Sequence, residues 1–498
     1  MRFTCEKNML VQGLNIAGRT VAQKSSLSVI EGILCRAGQG LSLTGYNMET
    51  AITYTVDADV ADPGECILPA KLFGDIVRRL PEGPVTVVVS DDYKVSIRAG
   101  FASFTISAES ADDYPELPDV NSGRPIQIPQ NKLKELISGT IFAVSENQGR
   151  PIHTGVKFEV TDTAITAIAV DGFRLARRTY HPEEGTAREL SFVVPAAGLK
   201  EVEKIVADVE DMASFTLGTK HILFQIGKAT LVCRLLEGEF LDWRRVVPTG
   251  CPIKLVANVS DLSSSVERVG LIVSENQGRP IHTGVKFEVT NESITAIAVD
   301  GFRLARRTFH PEEGTGRELN FVVPAAGLKE VEKILTDCED NAAFTLGTKH
   351  ILFQIGTATL VCRLLEGEFL DWRKVVPSNC PIKLVATVSD LSSSVDRVGL
   401  IVSEKYKSPV RCIFGHQEVL MRTNTTIGAA EDRCSLAGDG KELEIGFNVR
   451  YLADALRAVP SEEVTLELTN GLSPIVLTPV DNKFDFAYMV LPVRIKNG

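Results

Sequence analysis

The chain has 498 residues, of which 44% are hydrophobic and 23% charged, and its formal net charge is −11. That length predicts three or four domains with sizeable cores. The negative balance argues against non-specific adhesion to nucleic acid through the outer surface, and no apolar run reaches the roughly 18 residues of a membrane span.

The N-terminus, from Met1 to Glu6, enters an alternating strand pattern directly and has no apolar region of a secretory signal. The first helix is marked by Leu10, Leu14, Ala17 and Val21 at helical spacing. Strand runs follow at Leu41 to Leu43 and Ala51 to Val56. Pro69 then opens a second helix with Leu72, Phe73, Ile76, Val77 and Leu80 on one stripe. Strands resume at Val85 to Val89, Lys94 to Arg98 and Ala102 to Ser107. The plan then repeats. Leu133, Leu136, Ile137, Ile141 and Val144 mark a long helix, and Pro195 starts a shorter one bearing Leu199, Val202, Ile205 and Val206. A third short helix follows Pro324. In the last part Leu391, Val395, Val398 and Ile401 mark the long helix, and Leu452, Ala455, Leu456 and Val459 the short one. The expected fold class is α+β, in four modules at 1–122, 123–250, 251–379 and 380–498, each with two helices and antiparallel strands.

The two middle modules are a duplication. Residues 145 to 273 recur as 274 to 402 without a gap, and the copies differ at 17 positions, such as Tyr180 against Phe309 and Arg245 against Lys374. A unit this long exceeds solenoid repeats and matches a whole domain. The apolar-Val-Ser-Glu segment ending the long helix occurs at Phe142 to Glu146, Leu271 to Glu275 and Leu400 to Glu404. The third module therefore joins a first helix like that of the fourth to a body like that of the second. The crossover falls at equivalent points of related domains, so the hybrid is expected to fold.

No catalytic constellation is legible. The chain has no GxxxxGK[ST] phosphate loop, HExxH, GxSxG or CxxC. His181-Pro-Glu-Glu reads as a solvated turn, because Pro182 breaks any helix that would align metal ligands. The ten cysteines are scattered singly, and several, such as Cys233, Cys362 and Cys412, lie in apolar strand contexts. Buried reduced thiols in a cytoplasmic protein are expected, with no cofactor and no metal.

Motifs spread along the chain resemble the bacterial DNA polymerase III beta subunit, the sliding clamp. They include Met1-Arg-Phe-Thr-Cys-Glu, Leu41 to Thr50, Phe104-Thr-Ile-Ser and Asp113 to Pro118. They continue through Arg150-Pro, Val170-Asp-Gly-Phe-Arg-Leu-Ala, Leu236-Glu-Gly-Glu-Phe, Glu444-Ile-Gly-Phe-Asn and the tail Met489 to Arg494. The resemblance implies a clamp fold with two inner helices and outer antiparallel sheets in each domain, here with four domains instead of three. It implies a non-catalytic homodimer, or other homo-oligomer, that encircles duplex DNA without sequence preference. Expected partners are the DNA polymerase III catalytic subunit, the clamp loader and other proteins carrying clamp-binding peptides, with no membrane. With four domains per chain an enlarged ring, an open spiral and a looped-out domain are the alternatives. A chain that cannot close would be a scaffold that binds such peptides without encircling DNA.

The resemblance also implies sites. Inner-face cations are Arg19, Lys24, Arg78, Arg79, Lys132, Lys134, Lys200, Lys204, Arg268, Lys329, Lys333, Arg397, Arg450 and Arg457. Lys24 matches a basic position of the family. Many members place basic residues after the helix-opening proline, whereas Ala196-Ala197 and Ala325-Ala326 stand here. The peptide pocket is expected at Val299, Gly301, Arg303, Leu304, Leu370, Lys374 and Val375 with the tail residues Met489, Val490, Leu491, Pro492, Val493 and Arg494. Apolar walls with few polar anchors suit a peptide groove. The first copy supplies only a half-site, Val170, Gly172, Arg174, Leu175, Leu241, Arg245 and Val246, because there is no second tail. Leu400 and Ile401 are expected at the subunit interface.

Overall fold

The structure, a computed structural model, describes residues 1–120, 123–247, 253–273, 280–311, 316, 318–335, 342–402, 408–438 and 440–495. It divides into two compact units, Met1–Trp243 and Arg244–Gly498.

In the first unit, β1 (Arg2–Glu6), α1 (Lys7–Ala17), β2 (Gly32–Ala37), β3 (Leu41–Tyr46), β4 (Thr50–Val56), β5 (Asp59–Asp62), β6 (Gly64–Pro69), α2 (Ala70–Arg79), β7 (Pro84–Val89), β8 (Lys94–Ala99) and β9 (Ala102–Ser107) form the first module. The second comprises β10 (Ile126–Pro129), α3 (Gln130–Ser138), β11 (Gly155–Thr161), β12 (Ala164–Val170), β13 (Arg174–Tyr180), β14 (Leu190–Pro195), α4 (Ala196–Ile205), β15 (Met212–Leu217), β16 (His221–Ile226) and β17 (Ala229–Arg234). A five-stranded sheet runs β5-β1-β7-β8-β9. An eight-stranded sheet runs β10-β15-β16-β17-β4-β3-β2-β6, so the two modules share one sheet. Its seam is the antiparallel pair β17·β4, with Leu231 opposite Ile52. A further antiparallel run follows the order β14-β11-β12-β13.

The helices are shorter than the apolar spacing predicts. Leu10, Leu14 and Ala17 are buried on α1, but the helix stops at Ala17 and a 3-10 turn at Gly18–Thr20 takes the chain to an extended Val21. Gly45 explains how closely that end approaches the sheet. A Cβ there would lie 2.1 Å from the Ala17 carbonyl oxygen, so β3 must carry glycine at the crossing. On α2 the buried stripe is Phe73, Ile76 and Val77, and Leu72 on its flank is 49% exposed. On α3 the helix ends at Ser138. The buried Thr140 hydroxyl donates to the Leu136 carbonyl at 2.6 Å and satisfies an orphan acceptor of the last turn. Ile141 then lies in a 3-10 turn. The first helix of this module, with nine residues, is thus no longer than the ten-residue α4, contrary to the long-then-short pattern expected.

In the second unit, β18 (Ile253–Ala257), α5 (Val259–Gly270), β19 (Gly284–Val289), β20 (Ile294–Val299), β21 (Arg303–Phe309), β22 (Leu319–Pro324), α6 (Ala325–Leu335), β23 (Ala342–Leu346), β24 (His350–Ile355) and β25 (Ala358–Arg363) form the third module. The fourth comprises β26 (Ile382–Thr387), α7 (Val388–Gly399), β27 (Val410–Phe414), β28 (Glu418–Thr425), β29 (Gly428–Ser435), β30 (Leu443–Phe447), α8 (Val449–Ala458), β31 (Glu463–Leu468), β32 (Ile475–Thr478) and β33 (Asp485–Val490). One eight-stranded sheet runs β22-β19-β20-β21-β33-β32-β31-β26 and joins the two modules at β21·β33. A four-stranded sheet runs β29-β28-β27-β30, and β18, β23, β24 and β25 pair in sequence.

The hybrid origin of the third module is visible in α5. Its buried positions Leu262, Ser265, Val266 and Val269 match Leu391, Ser394, Val395 and Val398 of α7, and both helices have twelve residues. In each module the two helices pack on one another. The eight cysteines among the described residues are buried. No helix of the described residues is long and apolar enough to cross a membrane.

Candidate peptide pocket and nucleic-acid face

The β21·β33 seam builds an apolar cluster. Val299, Leu304, Val476, Ala487 and Met489 are buried together, with Phe369, Trp372, Val376 and Leu491 packed against them and partly open. Strand alternation selects these residues. Ala487, Met489 and Leu491 point to one face of β33, and Phe486, Tyr488 and Val490 to the other. Val490 is fully buried and outside the cluster, on the face of the fully buried Tyr488, so it does not line the pocket as expected.

The turn between β20 and β21 frames one side. The Asp300 carboxylate accepts from the backbone amides of Phe302 and Arg303 at 2.9 and 3.0 Å, and Gly301 takes a φ of +91° with open space around it. The Phe302 carbonyl accepts from the Leu491 amide at 2.9 Å and fixes the start of the tail. Farther along, the Val493 amide donates to Gly446 at 2.7 Å. Pro492 is half-buried, and Val493 and Arg494 are exposed.

Arg303 does not point out as an open anchor. It is 8% exposed, and its guanidinium donates to Asp300 at 2.7 Å, to Asp454 of α8 at 2.6 Å and to the Leu271 carbonyl at 3.2 Å. It also stacks over Tyr451 at 4.6 Å. Three expected residues rim the pocket from the segment after β25. Leu370 and Val375 are 41% and 37% exposed, and Lys374 is open and lies 3.7 Å from Asp371.

Trp372 was not anticipated, nor were Phe369 and Val376. The Trp372 indole is held by Arg306 and Arg373, at 5.0 and 4.6 Å from its ring, and donates to Glu288 at 3.4 Å. Burial alone would push the Glu288 carboxyl up. Hydrogen bonds from Arg373, Lys286 and Trp372 overcome it and hold the carboxyl down at about 2.

The first copy keeps the same local parts. Val170 and Leu175 are buried partners across β12 and β13, and Gly172 has a φ of +94°. Arg174 pairs with Asp171 at 2.8 Å and lies over Phe142, and Leu241 is exposed. Arg177 stacks over Trp243 at 4.9 Å, as Arg306 does over Trp372. In the second unit Val246 is half-buried and Arg245 exposed.

The expected inner-face cations all lie on helices or just after one, and most are held by carboxylates. Arg78 pairs with Asp75, Lys132 with Glu135, Lys134 with Asp208, Lys204 with Glu201, Lys333 with Glu330, Arg397 with Asp432, and Arg457 with Asp454. Arg19 reaches Glu201 at 3.7 Å. Arg268 is turned toward the C-terminal end of α8, where it donates to the Ala458 and Val459 carbonyls, both at 3.0 Å, which neutralises that helix end. Lys24, Arg79, Lys200, Lys329 and Arg450 are exposed. The charge differs between the helix pairs. Helices α1 and α2 carry Lys7, Lys71, Arg78 and Arg79 against Asp75 alone. Helices α5 and α6 carry Arg268, Lys329 and Lys333 against Asp261, Glu267, Glu330 and Glu332. Lys71, overlooked in the sequence, shares with Arg19 and Arg78 a cleft of about 920 Å³ beside α1 and α2.

Leu400, following α7, is 83% exposed, and Ile401 is half-buried. The strand β9 leaves Phe104 41% exposed, next to Phe101 at the fully exposed hairpin tip.

Comparison with known proteins agrees with this architecture. The N-terminal-domain model of the DNA polymerase III beta subunit matches residues 1–118. The central-domain model matches twice, at 127–242 and 257–371, and the C-terminal-domain model matches 373–494. The beta sliding clamp of Bacillus subtilis is 26% identical over 384 residues, covering 73% of this chain and 98% of that protein. The beta sliding clamp of Halalkalibacterium halodurans is 29% identical over 294 residues, covering 57% and 77%. Among solved structures, the DNA polymerase III subunit beta of Pseudomonas aeruginosa aligns with a TM-score of 0.56 at 22% identity, covering 99% of this chain and 100% of that one. A second structure of the clamp from that organism, with the same score and coverage, is bound to griselimycin. The chain belongs to the DNA polymerase III beta subunit family, the sliding clamps, and carries the family's central domain twice.

Proposed function

We propose that the chain is a DNA polymerase processivity factor that encircles duplex DNA and tethers the replicative polymerase through the pocket at β21·β33. The observation that carries this reading is the partly open apolar cluster of Leu304, Met489, Leu491 and Trp372, on the seam between the second central-domain copy and the C-terminal domain. An apolar concavity edged by a few polar groups takes short peptides with apolar side chains. A related Pseudomonas clamp is bound to griselimycin, which is in keeping with a ligand-accepting surface in this family.

The action is mechanical and needs no bond made or broken. Exposed helix cations, Lys24 and Arg79 foremost, meet backbone phosphates without reading bases, so the duplex slides. The first-copy residues Val170, Leu175 and Leu241 form a half-site without the tail and do not bind peptide by themselves. Leu400 and Ile401 of one chain meet the exposed β9 edge, with Phe104, of another to make the homo-oligomer.

Primer extension by the host's DNA polymerase III catalytic subunit, with clamp loader and ATP, tests this function. Adding the chain should lengthen the products made in one binding event, and Leu304→Ala should remove the gain. Unchanged product length with the native chain would contradict it.

A further inference from the structure

The carboxylate of Asp454 is shared by two arginines of different exposure. Its Oδ2 accepts from Arg303 Nη1 at 2.6 Å, and its Oδ1 accepts from Arg457 Nη1 at 2.9 Å. The Arg303 side chain is 8% exposed and that of Arg457 60%, while the carboxylate between them is 11% exposed. Arg457 is a cation of the helix surface proposed to meet phosphates. Arg303 belongs to the turn that builds the pocket.

The path from Asp454 to the pocket is short. Arg303 is followed by the pocket wall Leu304 and preceded by Phe302, whose carbonyl holds the Leu491 amide at 2.9 Å. Phe302 stacks on Tyr451 of α8, with ring centroids 5.8 Å apart, so the helix grips the turn by a ring as well as by a charge. All these groups lie in one unit and in direct contact.

We infer that Asp454 couples phosphate engagement by Arg457 to the peptide pocket. This rests on the function proposed above and adds its regulation. A DNA phosphate competes with Asp454 for the Arg457 guanidinium, because both are anions and the phosphate geometry suits a bidentate arginine. Once Arg457 turns to the phosphate, the carboxylate is left to Arg303 alone. The low exposure of that pair keeps its interaction from being screened. The turn and the Leu491 contact are then held more firmly, and a preorganised pocket binds its peptide more tightly. Linkage makes the effect reciprocal, so bound peptide also favours DNA on the helix surface.

The test measures the affinity of a fluorescent clamp-binding peptide for the full chain, with and without a saturating short duplex. The native chain should bind peptide about fivefold more tightly with the duplex present, the lower end of typical allosteric coupling. Arg457→Gln should bind it without DNA as tightly as the native chain does with DNA, and gain nothing further from the duplex. Arg450→Gln, which removes the other arginine of α8, should keep the coupling. Equal peptide affinity with and without duplex in the native chain would overturn the inference while leaving the pocket intact. Coupling undiminished in Arg457→Gln would overturn it as well. Absence of peptide binding under either condition would instead overturn the underlying function.

Discussion

Leu304 of β21 and Met489 of β33 are direct partners across the antiparallel pair that joins the second central-domain copy to the C-terminal domain. The wall of the candidate pocket is therefore made by the pairing that holds the two domains together. A change in that pairing changes the pocket, and no single domain carries the pocket alone.

Replacing Leu304 by alanine removes a side chain that is 1% exposed from this wall. Peptide affinity should fall at least about tenfold, and stability by about 2–3 kcal/mol from the cavity left behind. Leu175→Ala, the equivalent change in the first copy, should cost similar stability and leave peptide affinity unchanged. Fluorescence anisotropy with thermal melting on both variants checks the pair, and equal loss of affinity in both would mean two working sites.

Glu288 ties Trp372 to Arg373 and Lys286, and its carboxyl is held down at about 2. A carboxylate depressed in the folded state contributes stability that is full above its unfolded pKa, near 4.3, and is lost as pH falls through about 2. Glu288→Gln should lower stability by about 1 kcal/mol at pH 7, a modest value because Arg373 is largely exposed. The gap between native and variant melting temperatures should narrow as pH falls from 4.5 toward 2. A constant gap across that window would count against this ion pair.

Phosphate contact should follow the charge of each helix pair. Arg79→Gln, in the most basic helix pair, should reduce the slope of log K against log salt for duplex binding by about 0.9. Lys329→Gln, flanked on α6 by Glu330 and Glu332, should leave the slope nearly unchanged. Binding isotherms on a short duplex over a range of salt concentrations distinguish these outcomes.

Gly45 bears the close approach of α1 to β3. Gly45→Ala places a Cβ at 2.1 Å from the Ala17 carbonyl and should cost about 2–3 kcal/mol. Gly38→Ala, with nothing within 4 Å of its Cβ, should stay within about 0.5 kcal/mol of native. Urea denaturation of both variants checks the difference.

Much of the fold was legible because it is written in periodicity and repetition. The range of β9 was read to the residue, and the hybrid helix α5 followed from the apolar-Val-Ser-Glu segment that ends the long helix. Helix ends were not legible. Val21 and Ile141 continue the apolar spacing of α1 and α3 but follow their last turns, because a 3-10 turn can keep an apolar residue near the core without extending a helix. Leu72 lies at helical spacing from Ile76 and is still half exposed, since spacing alone does not separate the centre of a stripe from its flank.

In the pocket, the expectation took in Met489, Val490 and Leu491 alike, although period-two alternation along β33 turns Val490 away from the other two. The role of Arg303 was hidden. Its partner Asp454 lies 151 residues away on a different domain, and no local pattern announces such a pair. Trp372 carried a signal, a large aromatic beside Arg373 and Lys374 where strand residues give way to a turn, which marks an amphipathic ring at the edge of a cavity.

The central claim is topological and has a direct measurement. The labelled chain would be loaded by the host's clamp loader and ATP onto a nicked circular duplex and passed through a gel-filtration column with that DNA. It should remain with the circle and leave once a restriction enzyme has made the circle linear, because a ring slides off free ends. Equal retention on circular and linear duplex, or none on either, would contradict encirclement and leave a peptide-binding scaffold.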